Sequence, residues 1–199
     1  MRRLVVFSTL PFAILLAAAG VRGRAAENGG VTGTITARGL STSADIVVRL
    51  EAPGLAIKPA TVPLEMDQKG KVFAPHVLAI VRGSTVRFLN SDPFAHNVFS
   101  PEGKYDLGSW QQGQTKDRTF ATVGVYTQLC RIHPEMEAVV VVLDTPYFAK
   151  TDQTGAFQIP NVPAGRYTLV AWSQKLKQVQ QPVTVEAGKA TTVQVALSK

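Results

Sequence analysis

The chain opens on an apolar run from Leu4 to Val21, broken only by Ser8, Thr9, Pro11 and Gly20. From Val31 onward the pattern changes to short candidate strands, and in Thr85–Leu89 Val86 and Phe88 point one way and Thr85 and Arg87 the other, the period of a half-buried strand. Such segments lie at Val31–Ala37, Asp45–Leu50, Val77–Val81, Thr85–Leu89, Asn97–Ser100, Asp117–Thr122 and Gly124–Cys130. Val77–Val81 and Thr85–Leu89, separated by Arg82-Gly83-Ser84, read as a hairpin. Ala138–Leu143 is apolar at every position, as a strand covered on both faces requires. Gly103, Gly108 and Gly113 read as turns, and Asp67–Lys71 as a loop. No stretch keeps a helical apolar period over three turns, so the fold class is all-β, a sandwich.

A second unit starts after Leu143. Asp144-Thr-Pro-Tyr-Phe148 reads as a boundary, followed by alternation at Phe157/Ile159, Tyr167/Leu169/Ala171, Val183/Val185 and Val193/Val195/Leu197. Turn chemistry at Asn161–Gly165 and Glu186–Lys189 separates these strands. A unit of this size is marginal alone and is expected to pack on the first. The division is therefore 1–25 export segment, 26–143 first sandwich and 144–199 second sandwich.

The export reading rests on Arg2 and Arg3, the apolar run and the small residues Gly23, Ala25 and Ala26, with cleavage near Ala25 or at Gly23. An uncleaved anchor is the alternative, because the run approaches spanning length. Charge follows the same division. Removing Arg2, Arg3, Arg22 and Arg24 from 21 basic residues leaves 17 against 14 acidic, a net +3 in place of +7. No basic block remains, so no nucleic-acid partner is expected. After cleavage no stable membrane insertion is expected either, and the location is periplasmic or secreted.

Export puts the chain where disulfides form, yet Cys130 is its one cysteine. The residues around it carry the chemistry. Cys130-Arg-Ile-His133-Pro-Glu-Met136 sets thiolate, imidazole and thioether at three-residue intervals in a loop between two predicted strands. A second imidazole, His96, precedes Asn97 after the Ser91-Asp-Pro-Phe-Ala run. Two His, one Cys and an axial Met are the ligand set of a blue-copper electron-transfer site. The soft thiolate and thioether suit Cu(I), and the imidazoles tolerate Cu(II). Three other readings of these residues stay open: a buried inert thiol with surface histidines, a structural zinc site, and a Cys–His nucleophile. A two-copper centre needs a second thiolate, which the count excludes.

The stretches Val72–Gly83 and Phe88–Ser100, with Cys130–Met136, resemble the cupredoxins, among them plastocyanins and amicyanins. The two-residue gaps in Cys-x-x-His-x-x-Met resemble the short amicyanin loop. The chain also resembles bacterial proteins of the methylamine-utilisation or plastocyanin-like type, which couple such a domain to a small β-sandwich. The resemblance implies a Greek-key sandwich holding one type 1 copper, with His96 as the buried imidazole ligand, Cys130 the thiolate, His133 the exposed imidazole and Met136 the axial ligand. It implies that Asn97 ties the ligand loops together, and that Pro93, Phe94, Ile132 and Pro134 form an apolar docking face. It further implies an electron carrier, not an enzyme, serving a periplasmic redox protein such as a cytochrome c or a dehydrogenase. Arg131 and Glu135 depart from the pattern by placing charges inside the ligand loop.

The tail from Asp152 through Gly155, Phe157, Ile159, Val162, Gly165, Tyr167 and Leu169 resembles carboxypeptidase regulatory-like and transthyretin-like sandwich domains, which implies a structural or binding module. A glycan platform would use Trp172 or Tyr167, although Tyr167 reads as core and Trp172 as boundary packing. The rival function is accordingly a copper-binding or partner/glycan-binding module whose metal is cargo or structural. His76 matches no ligand position; hairpin register sets it opposite Asn90, as a hydrogen-bonded structural histidine, with a supporting or auxiliary role at the metal as the alternative.

Overall fold

The computed structural model describes residues 27–199, so the export segment at 1–25 lies outside the described residues. Among those described, the elements are all strands: β1 (Gly29–Ala37), β2 (Val47–Glu51), β3 (Leu64–Gln68), β4 (Phe73–Ala74), β5 (Val77–Val81), β6 (Thr85–Leu89), β7 (His96–Ser100) and β8 (Tyr105–Trp110). They continue with β9 (Thr115–Thr119), β10 (Gly124–Leu129), β11 (Glu137–Leu143), β12 (Phe148–Lys150), β13 (Ala156–Val162), β14 (Gly165–Trp172), β15 (Val179–Val185) and β16 (Ala190–Leu197). No helix among the described residues is long and apolar enough to cross a membrane.

The strands form four sheets, ordered β13-β1-β16, β12-β2-β14-β15, β5-β11-β10-β7-β8 and β4-β3-β6-β9. The last two face each other over a core of Met66, Phe73, Ile80, Val86, Phe88, Val98, Trp110, Phe120, Cys130 and Met136, among others. The first two enclose a second core built on Val31, Ile35, Leu50, Phe157, Leu169 and Leu197. A third, smaller cluster joins the sandwiches: Val47, Val77, Val139, Val141 and Leu143, with Ala79, Phe148 and Trp172 at its margin.

Strand β11, in the first sandwich, is covered on both faces, and its composition is the reason. Ala138, Val140 and Val142 enter the first core, while Val139, Val141 and Leu143 enter the seam. All six are at most 3% exposed, so each valine contributes about 1.5–3 kcal/mol of burial.

Three features differ from the sequence reading. Strands β1 and β2, read as part of the 26–143 sandwich, complete the C-terminal one. β1 lies between β13 and β16, and β2 between β12 and β14. Gly33 permits this, because a Cβ there would sit 2.1 Å from the Val193 carbonyl oxygen of β16. Local alternation reports that a strand is half-buried and carries nothing about which sheet it joins.

Secondly, β5 and β6 are not a hairpin. Arg82 donates its N–H to the Leu143 carbonyl, continuing the parallel β5–β11 ladder, while β6 pairs with β3 and β9 in the facing sheet. Ile80 and Phe88 thus meet across the core from opposite walls. A sheet-crossing arch and a hairpin share the same turn chemistry, here Gly83 at φ +86°. His76 is consequently not opposite Asn90.

Thirdly, β3 takes in Asp67 and Gln68 from the start of the 67–71 loop, β8 runs through Gly108 while Gly103 and Gly113 are turns as read, and β9 starts earlier than the pattern indicates. β8 runs through Gly108 because the β7–β8 register shifts between Asn97 and Phe99, a bulge that accommodates its φ of +74°.

Candidate metal centre

Antiparallel pairing brings the donors to one end of the first sandwich. β10 and β11 are antiparallel, so residues 130–136 connect them at a single edge. β7 runs antiparallel to β10, with Leu129 opposite Phe99, which places His96 at the start of β7 beside Cys130 at the end of β10. The Nδ1 atoms of His96 and His133 are 3.1 Å apart, and the Cys130 sulfur is 4.0 Å from His96 Nδ1. Ligand atoms of all three residues lie within 4.8 Å of one another. Met136 is 1% exposed in the same core cluster as Cys130, and its N–H donates to the His133 carbonyl at 3.0 Å, closing the loop.

Asp92 sets the direction of the His96 ring. Its Oδ2 lies 2.8 Å from His96 Nε2, which leaves Nδ1 facing the sulfur and the second imidazole. Burial pushes the Asp92 carboxyl upward, but N–H donors from Lys71 and Gly70, with the His96 ring, outweigh it and bring its pKa to about 2. An anionic Asp92 accepts a hydrogen bond from Nε2–H, so in the neutral ring Nδ1 carries the lone pair. A lone pair directed at a second imidazole nitrogen and a buried thiol is a donor set arranged for a soft or borderline cation.

Asn97 closes the surrounding network. Its backbone N–H points at the Cys130 sulfur at 3.4 Å, its Oδ1 accepts from the Arg131 N–H, and its Nδ2 donates to Asp106 Oδ1 and to the Gly108 carbonyl. Arg131 is not a free charge: its Nε donates to Asp106 Oδ2 at 2.8 Å, and its guanidinium lies 4.1 Å from the Phe99 ring centroid. That guanidinium, followed by the Gly108 N–H, holds the Asp106 carboxyl below its ordinary value. Asp92 and Asp106 both escape the sequence reading. The four-residue spacing of Asp92 from His96 is a signal; Asp106 has none, because its distant partners come from β7 and from the 130–136 loop.

His96 and Cys130 are buried, and His133 is half-buried. The Phe94 ring stands 5.2 Å from His96 and 5.4 Å from His133 between centroids. Phe94 and Ile132 are 36% and 46% exposed, and Pro93 and Pro134 are exposed beside them. Lys71 Nζ lies 5.6 Å from the Phe94 ring centroid, bringing one cation to this surface.

In the second sandwich Tyr167 is core, its hydroxyl donating to the Pro163 carbonyl, and Trp172 packs at the seam. His76 meets the Glu137 carbonyl through Nδ1 and the Gln174 amide oxygen through Nε2, each at 3.1 Å.

Residues 134–198 match the model of the carboxypeptidase regulatory-like domain. The C-terminal segment is similar to that domain, and the solved structures similar to this chain include cupredoxins. The domain match starts inside the 130–136 loop and takes in β11, ahead of the Asp144 boundary read from the sequence. A Cu-containing nitrite reductase (NirK) from Thermus scotoductus SA-01 is 26% identical over 48% of this chain, with a TM-score of 0.40, and only 25% of that enzyme is covered. A purple cupredoxin from Nitrosopumilus maritimus is 24% identical over 40% of this chain and 99% of its own, with a TM-score of 0.37. A reduced, Cu(I) form of an amicyanin mutant is 22% identical over 48% of this chain and 98% of its own, with a TM-score of 0.40. No curated protein matches the chain.

Proposed function

We propose that the protein is a periplasmic electron carrier holding one type 1 copper on His96, Cys130, His133 and Met136. The observation that carries this reading is the convergence of His96 Nδ1, His133 Nδ1 and the buried Cys130 sulfur, with the His96 tautomer set by Asp92. Copper bound there supplies one-electron chemistry between its Cu(II) and Cu(I) forms.

The chain's own residues make that chemistry suited to electron transfer rather than to catalysis. His96, Cys130 and Met136 are buried, so water is kept from the donor atoms. Asn97 bonds to residues on both flanking segments, which holds the donors in one arrangement through a change of charge. His133 is the donor that approaches solvent, at the centre of the patch made by Pro93, Phe94, Ile132 and Pro134. A periplasmic redox protein, a cytochrome c or a dehydrogenase, docks on that patch and exchanges electrons near the His133 ring. The basic start and apolar run of residues 1–25 support export.

The test is the visible spectrum of residues 26–199 after addition of Cu(II) and removal of the excess. An intense thiolate-to-copper band, lost with ascorbate and restored by oxidant, is expected, and Cys130→Ser abolishes it. Met136→Leu keeps one copper per chain and raises the potential. A colourless chain, or an equally intense band in Cys130→Ser, refutes the ligand assignment.

A further inference from the structure

Among the described residues, three side chains bridge the sandwiches beside the Met end of the 130–136 loop, and the proposed copper site does not use them. Gln174, in the connection after β14, donates its amide N–H to the Glu137 carboxylate. Its amide oxygen faces His76 Nε2, and His76 Nδ1 reaches back to the Glu137 backbone carbonyl. The backbone on the other side of His76 is held too, since its carbonyl accepts the Val139 N–H at 2.8 Å. Glu137 is therefore gripped twice, at its carbonyl and at its carboxylate, by residues of two different sandwiches. It is also the residue that follows Met136 and begins β11.

The seam explains why this grip holds its geometry. Val77, directly after His76, is buried in the joining cluster with Val139 and Val141, and Trp172 closes the margin of that cluster two residues before Gln174. Lys150 adds a polar staple by donating to the Val77 carbonyl at 3.0 Å while pairing with Asp45 at 2.6 Å. Both His76 and Gln174 thus project from backbone that packing has already fixed. The cleft between them is lined by Phe73, His76, Met136, Glu137, Gln174 and Lys175, so it opens on the methionine itself.

We propose that Gln174 is a positioning residue through which the C-terminal sandwich sets the place of Met136. The second sandwich is then part of the metal centre's frame rather than an appendage. The proposal rests on the copper reading for its consequence at the metal, and on geometry alone for the positioning.

Two readouts separate these. In the metal-free chain 26–199, Gln174→Met keeps the side-chain length and removes both hydrogen bonds. Loss of one such bond, worth about 1 kcal/mol, speeds hydrogen exchange at the Met136 amide about fivefold while leaving β6 unchanged. Glu137→Gln keeps an acceptor for Gln174 and holds the wild-type exchange rate. Val195→Ala, in the core of the second sandwich and outside the seam cluster, lowers the melting temperature and leaves Met136 exchange below that rise. In the copper-loaded chain, Gln174→Met raises the potential and changes the ratio of the thiolate-to-copper bands at unchanged copper content.

Wild-type exchange at Met136 in Gln174→Met overturns the proposal, as does an equal rise in Val195→Ala. A chain that never turns blue overturns the copper reading, while the exchange experiment still decides the positioning role.

Discussion

Two imidazole nitrogens 3.1 Å apart beside a buried thiol depend on the groups behind them, and Asp92 is the most consequential of these. Its carboxylate accepts two backbone N–H groups from the β3–β4 turn and holds the His96 ring, so one side chain links three segments of the chain. Asp92→Ala leaves the buried His96 Nε2 without its partner and releases two N–H groups of exposed residues, and is expected to cost about 1–3 kcal/mol, read from urea unfolding of the metal-free chain. A midpoint unchanged from wild type would show that water replaces the carboxylate. The donors themselves are legible in the sequence, because Cys130, His133 and Met136 share one loop and His96 stands beside Asn97. Their supports are less so. Asp106 and Gln174 come from strands and connections remote in sequence, and no spacing rule joins them to the 130–136 loop.

At the scale of elements, alternation finds most strands and misplaces their partners. β11 is legible because a run of six apolar residues has no polar face to give to water. β8 is not, since Gly108 sits inside it at a bulge. Turns are the elements whose chemistry is most local, and Asp152 shows it. The Thr154 hydroxyl, then the Ala156 N–H, outweigh desolvation and hold the Asp152 carboxyl below its ordinary value. A depressed carboxyl stabilises the fold above the unfolded-state value of about 3.9, and that contribution is lost as pH falls through the folded value. Asp152→Asn is therefore expected to lower the melting temperature at neutral pH, with the gap closing below about pH 4. A gap that stays constant across that range would show that the charge contributes nothing.

At the scale of the molecule, the sandwiches are not consecutive in the chain. The C-terminal sandwich takes a central strand for each of its sheets from residues 29–51. A fragment of residues 144–199 is expected to be unfolded by far-UV circular dichroism, and joining residues 27–52 to it through a flexible linker to restore strand signal. A folded 144–199 fragment would show that β13–β16 suffice without β1 and β2. The same interleaving tethers the first sandwich at both ends, because the chain leaves the second sandwich after β2 and returns to it at β12. Relative motion of the two is thereby restrained by covalent connection as well as by the valine seam.

Composition and spacing by themselves determined the all-β class, the candidate donor residues and the doubly covered β11, because each follows from a local rule: strand period, ligand chemistry, or the absence of a polar face. Only the tertiary structure decided that β5 arches to the facing sheet, that β1 and β2 serve the distant sandwich, and that Asp92, Asp106 and Gln174 stand behind the donors. The physical reason is common to all of these. A side chain's periodicity records how much of it is buried, whereas its partner is chosen by sheet order and packing, which sum interactions over the whole chain.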